Sequence, residues 1–226
     1  AMTLHPAILY GAFPLAGYAV GSVPFGVLIA RSRGVDLRKA GSGNVGATNV
    51  GRVLGRKWGY LCFLLDFAKG FLPALAAGLV LRGQPDFYEG AAPAGGYQAA
   101  WLAAGCGAIL GHVFSVWLRF RGGKGVATSL GAVVGVWPYL TLPGLAALGL
   151  WILVTLTSRY VSLGSIVAAA AFVPLLAGFA AVLGWGTAGL WPFMAFGGAM
   201  AGLILLRHRA NIRRLLAGRE NRIGVR

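Results

Sequence analysis

The chain has 226 residues, of which 58% are hydrophobic and only 11% charged, with a mean hydropathy of +0.74. A soluble domain carries about 25% charged residues, so a water-facing globule is excluded and an integral membrane protein is indicated. Twenty Lys and Arg against five Asp and Glu give a net charge of +15. The cations nevertheless sit in short gaps between apolar runs, without the interleaved aromatics that stack on bases, which excludes a nucleic-acid binder.

Ala1, ahead of Met2, reads as an extra residue. No positively charged region precedes the first apolar run, so no cleavable signal peptide is expected. A membrane span needs about 20 mainly apolar residues. In chain order the candidates are 7–30, 58–81, 99–118, a short 126–137, 139–157 after a break near Pro138, 161–183 and 187–206. The twelve residues of the fourth cannot cross a full hydrocarbon core unaided; they extend past Pro138 or form a half-helix lining a cavity. The expectation is one all-α membrane domain over 1–226, with seven transmembrane helices.

Eighteen of the twenty Lys and Arg fall in the gaps after the first, third and fifth spans and in the C-terminal tail. By the positive-inside rule those segments are cytoplasmic, the N-terminus is outside and the C-terminus cytoplasmic. Lys69 lies within a span, three residues after Asp66. At that helical spacing the two are neighbours, and each neutralises the other at membrane depth, a structural role. Cys62 and Cys106 lie in apolar stretches without metal-type spacing and read as small buried hydrophobes.

The first cytoplasmic gap contains "AGSGNVGATNVGR", residues 40–52. Its Gly41, Gly43 and Gly46 spell G-x-G-x-x-G, with Asp66 twenty positions further on, the spacing of a dinucleotide turn. That reading needs a strand before Gly41, which "GVDLRK" does not supply, and an acid that is not already paired. The glycines instead suit an anion-binding nest of backbone N–H groups around Gly43. Ser42, Asn44, Thr48 and Asn49 offer neutral hydrogen bonds, and Arg52 a two-pronged phosphate contact.

The second gap holds "RFRGGKGVATS", residues 119–129. It is no Walker loop, because Lys124 is followed by Gly125 and not by Ser or Thr. Gly122, Gly123 and Gly125 around Lys124, just ahead of an apolar helix, still form a candidate phosphate site at a helix N-terminus. The tail "RHRANIRRLLAGRE", residues 207–220, carries an Ile212, Leu215, Leu216 stripe suited to the membrane surface. His208 and Asn211, three apart on one face, are not required by that stripe. No histidine has an Asp five residues later, and the cytoplasmic gaps hold only Asp36 and Glu220 as acids. No carboxylate metal site, and no cofactor, is expected.

Together "GSGNVGATNVGR", "RGGKGVAT" and "HRANIRRLLAGRE", with "GSVPFG", "LDFAKG", "LGHVFSVW" and "RYVSLGSI" between them, resemble the bacterial membrane glycerol-3-phosphate acyltransferases that use acyl-phosphate as donor. The resemblance covers nearly the whole chain; the segment 82–98 is longer than the family's and is the clearest departure. It implies a seven-helix enzyme of the bacterial cytoplasmic (inner) membrane, with its site on the cytoplasmic face. The implied reaction moves an acyl chain from acyl-phosphate to the 1-hydroxyl of glycerol 3-phosphate, the first step of phospholipid synthesis. The products are lysophosphatidic acid and inorganic phosphate. The resemblance makes Ser42, Arg52, His208 and Asn211 functional, assigns phosphate binding to Gly122, Gly123, Lys124 and Gly125, and gives Glu220 a role in integrity. Because acyl-phosphate is already activated, direct attack by the glycerol hydroxyl is expected, with no acyl-enzyme. The competing reading is a transporter of a phosphorylated solute, for which interrupted helices such as Gly21-Ser22-Val23-Pro24 are suited.

Overall fold

A computed structural model describes residues 4–89, 92–185 and 189–223, whose regular structure is helical apart from a small hairpin. One π-helical turn, Ile8–Ala12, runs into α1 (Phe13–Ser22), and α2 (Phe25–Arg31) follows after a break. The break falls where Pro24 forces Val23 out of the helical region, to φ −60° and ψ 119°. A loop leads to α3 (Ala47–Leu54), and Gly55, at φ 99°, turns the chain into the long α4 (Arg56–Arg82). Strands β1 (Tyr88–Glu89) and β2 (Ala92–Pro93) form an antiparallel pair inside the long segment 82–98.

The second half comprises α5 (Gly95–Val113), a 3₁₀ turn at Val116–Leu118, α6 (Val126–Gly135), α7 (Thr141–Ser158), α8 (Val161–Leu183), α9 (Trp191–Arg207) and α10 (Arg209–Leu216). Five stretches are long and apolar enough to cross a membrane: Ile8–Arg31, Arg56–Arg82, Gly95–Leu118, Thr141–Ser158 and Val161–Leu183. Residues 187 and 188 of the expected seventh span lie outside the described residues; its helix, α9, starts at Trp191 and has 17 residues. The expected fourth span, 126–137, is the ten-residue α6. At 1.5 Å per residue it covers roughly half of a ~30 Å hydrocarbon core.

Close helix contacts hold this short element. A Cβ on Gly131 would strike the Phe67 carbonyl, and one on Gly70 the Thr128 carbonyl, so α6 lies backbone to backbone against α4. Gly17 and Gly21 of α1 meet Ala104 and Ala108 of α5 in the same way. Such small-residue seams let helices approach where lipid offers no hydrophobic drive. Outer faces are apolar, with Leu156 73% and Val182 84% exposed, as a lipid-facing surface requires.

Candidate active site

Hydrogen bonds between segments bring the ends of α5, α7 and α9 and the starts of α6 and α8 to one side of the bundle, where the three polar motifs meet. In the first motif, Gly41 and Gly43 take left-handed φ of +60° and +68°, a conformation that costs other residues more. They wrap the chain around Asn49. Its Oδ1 accepts from the Ser42 N–H (2.8 Å), and its amide donates to the carbonyls of Asn44 (2.8 Å), Ala40 (3.1 Å) and Leu37 (3.4 Å). Asn49 was expected to offer a hydrogen bond to ligand; buried and bonded in this way, it holds the loop together. Asn44 Oδ1 accepts from Gly46 N–H (3.0 Å), shaping the turn into α3, whose start has no side-chain cap. Ser42, Thr48 and Arg52 remain exposed, the last two one turn apart on α3.

In the second motif, left-handed Arg119 and Phe120 fold the chain back onto the end of α5. Gly122 N–H bonds to the Val113 carbonyl (3.0 Å) and Gly123 N–H to the His112 carbonyl (3.2 Å). These two amides, expected to cradle phosphate, are committed to protein. The glycines serve close packing: a Cβ on Gly122 would hit the His112 carbonyl, and one on Gly123 the His112 imidazole. What stays available is the Lys124 ammonium and the start of α6, which begins after Gly125 (φ +86°) without a side-chain cap. Uncapped helix N-termini attract anions.

The third motif closes on the second. Lys124 Nζ donates to Asn211 Oδ1 (2.6 Å), and Arg207 Nη2 to the Gly122 carbonyl (3.0 Å). Asn211 Nδ2 donates to Glu220 Oε1 (2.7 Å); Glu220 also accepts from Ser162 Oγ (3.0 Å) and Arg214 Nε (2.7 Å). Burial pushes the Glu220 carboxyl up, but these bonds and the Arg214 charge together outweigh it and hold the group below its usual carboxylate range. The tail is fastened further by Arg222 Nε to Tyr160 Oη (2.9 Å) and Ile223 N–H to the Arg159 carbonyl (2.8 Å).

Burial pushes the Lys124 ammonium down to about 8; Glu220 opposes this, and the charges of Arg214, Arg52 and Arg207 add to it. Arg52 is thus an electrostatic neighbour of Lys124, which joins the first motif to the other two. His208 is 2% exposed, with Nδ1 2.8 Å from the Ile204 carbonyl. Burial and then the Lys124 charge push it down to about 4. It is neutral at cellular pH, and a carbonyl only accepts, so Nδ1 carries the proton and Nε2 is left an acceptor.

Asp66 and Lys69 form the expected pair, 2.8 Å apart and each 3% exposed, with His112 Nδ1 3.6 Å from the same Asp66 oxygen. Sequence reasoning assigned nothing to Arg207, Arg214 and Ser162. The two arginines were hidden among cations that topology alone demands, and a lone serine at a helix start carries no signal.

A helical, multi-pass integral membrane protein with a cluster of cations at one end of its bundle is the class these features define. The sequence model of a family described as glycerol-3-phosphate acyltransferase matches residues 11–218. A glycerol-3-phosphate acyltransferase of Geobacter sulfurreducens is 44% identical over 215 residues, 91% of this chain and 93% of the relative. One of Aquifex aeolicus is 45% identical over 208 residues, 91% and 94%. The crystal structure of PlsY (YgiH), an integral membrane glycerol 3-phosphate acyltransferase, in its glycerol 3-phosphate form superposes with a TM-score of 0.77 at 40% identity, covering 94% of each chain. The lysophosphatidic acid form of that protein gives 0.75 at 39% identity. The chain belongs to the glycerol-3-phosphate acyltransferase family.

Proposed function

We propose that this protein transfers an acyl chain from acyl-phosphate to the 1-hydroxyl of glycerol 3-phosphate at the cytoplasmic face of a bacterial inner membrane. Seven membrane-crossing segments, with the N-terminus outside, fit the distribution of basic residues. The observation that carries the reading is the convergence of Lys124, Asn211 and His208 beside Arg52 and Arg207, under one lipid-facing bundle. Both substrates carry phosphate, and phosphate leaves, so a receptor rich in cations and uncapped helix starts suits both ends of the reaction.

The 1-hydroxyl oxygen attacks the acyl carbon, the bond from that carbon to the phosphate oxygen breaks, and inorganic phosphate departs. Lys124 holds a phosphate group, Arg52 and Ser42 bind beside it, and His208 Nε2 accepts from a glycerol hydroxyl to orient the acceptor. An imidazole at about 4 is poorly matched to general-base work near neutral pH. A phosphate oxygen, with a second pKa of about 6, is the better proton acceptor. Asn44 and Thr48 complete the first loop's contribution, and Gly43, Gly122, Gly123 and Gly125 give the two loops their shape.

The purified protein in lipid, given acyl-phosphate and glycerol 3-phosphate, should release phosphate without membrane-separated compartments and without a trapped acyl-protein adduct. A transporter would release none.

The state of Lys124 sets a pH dependence. The group is charged below about 8 and neutral above it, and only the charged form holds phosphate tightly. Measured kcat/KM should therefore fall above pH 8, by about tenfold per unit at the limit. In Lys124→Arg, which stays charged past pH 12, that alkaline limb should disappear.

A further inference from the structure

Asp66 and Lys69 would need only each other to be neutral at membrane depth, yet their contacts reach further. Asp66 lies 3.6 Å from His112, and its main-chain carbonyl accepts from Thr128 Oγ1 at 2.9 Å. Lys69 Nζ donates to the Val23 carbonyl (2.8 Å) at the break between α1 and α2, ahead of the first motif. The His112 ring is the surface on which Gly123 rests, and the His112 carbonyl takes the Gly123 N–H.

Lys124 is therefore bracketed. The residue before it leans on His112, which faces the Asp66 carboxylate, and four residues after it Thr128 is tied to the Asp66 main-chain carbonyl, so both contacts lead to one buried residue. We propose that Asp66, Lys69 and His112 are positioning residues: they set the height of the Gly122–Gly125 loop, and with it where the Lys124 ammonium meets phosphate. The inference rests on the phosphate role proposed for Lys124. A shift of about 1 Å in such a group can cost as much as ~100-fold in rate, so a rigid support beneath a glycine loop has a direct catalytic consequence.

The test uses the full chain in lipid, with phosphate release as the readout and KM measured separately for acyl-phosphate and for glycerol 3-phosphate. Lys124→Ala identifies the substrate that the lysine holds, as the one whose KM rises. His112→Ala should raise KM for that same substrate about tenfold, the equivalent of ~1.4 kcal/mol, while the other substrate's KM and the thermal midpoint stay near wild type. The double variant should show a KM no higher than Lys124→Ala alone, because both changes remove one interaction. A folded His112→Ala protein with unchanged KM, or a double variant whose effects multiply, overturns the inference. If His112→Ala does not fold, Gly123→Ala, whose methyl meets the imidazole from the loop side, carries the test, and an unchanged KM there overturns it equally. Wild-type protein that releases no phosphate brings down the acyltransferase reading and this inference with it; wild-type activity with an insensitive His112 brings down this inference alone.

Discussion

Lys124→Ala is expected to raise the KM for one phosphate-bearing substrate by about a hundredfold, with a much smaller effect on folding. A hydrogen bond to a charged group contributes roughly 1.5–3 kcal/mol, and the upper end of that range corresponds to about two decades in affinity. Folding is spared because Lys124 is only half-buried, and Asn211, its partner, stays anchored to Glu220 by a 2.7 Å bond. Steady-state kinetics on both substrates, beside thermal unfolding in detergent, separates the two effects. Activity with unchanged KM would reduce the glycine–lysine loop to a plain turn.

Asp66→Ala should carry the largest stability loss. Lys69 would keep its bond to the Val23 carbonyl but lose the only carboxylate within 4 Å among the described residues, at 3% exposure. Breaking one side of a buried ion pair costs about 3–5 kcal/mol, because an uncompensated charge stays in a medium that solvates it poorly. Removing both charges, as Asp66→Ala with Lys69→Met, should recover most of that loss. Unfolding midpoints for the single and double variants provide the check: a double variant no more stable than Asp66→Ala would show that the pair is not the source of the cost. The recovered double variant should still bind phosphate substrate poorly, since Asp66→Ala removes the carboxylate that faces His112.

Several features were legible because they depend on local composition. Long apolar runs with cations confined to alternate gaps leave little choice but membrane helices, and α8 covers Val161–Leu183, as the run itself predicts. Asp66 and Lys69 could be paired on paper, since three residues on a helix fix their separation. The three motifs could be picked out by their glycines, amides and cations, which topology does not demand.

What those residues do with one another was not legible. Asn49 and Asn44 look equivalent in sequence, yet Asn49 is buried with four hydrogen bonds to its own loop. Gly122 and Gly123 look like phosphate donors, yet their N–H groups meet carbonyls of α5. His112 lay in an apolar run with no hint that a glycine loop rests on it. The sequence by itself determined a helical membrane protein of this family and the chemical groups available on its cationic side, because hydropathy and residue type act over short range. Only the tertiary structure decided which groups stay exposed on that side and which hold the scaffold. That division is set by hydrogen bonds between segments far apart in the chain, such as Lys124 to Asn211 and Arg207 to Gly122, which exist only once the helices have packed in register.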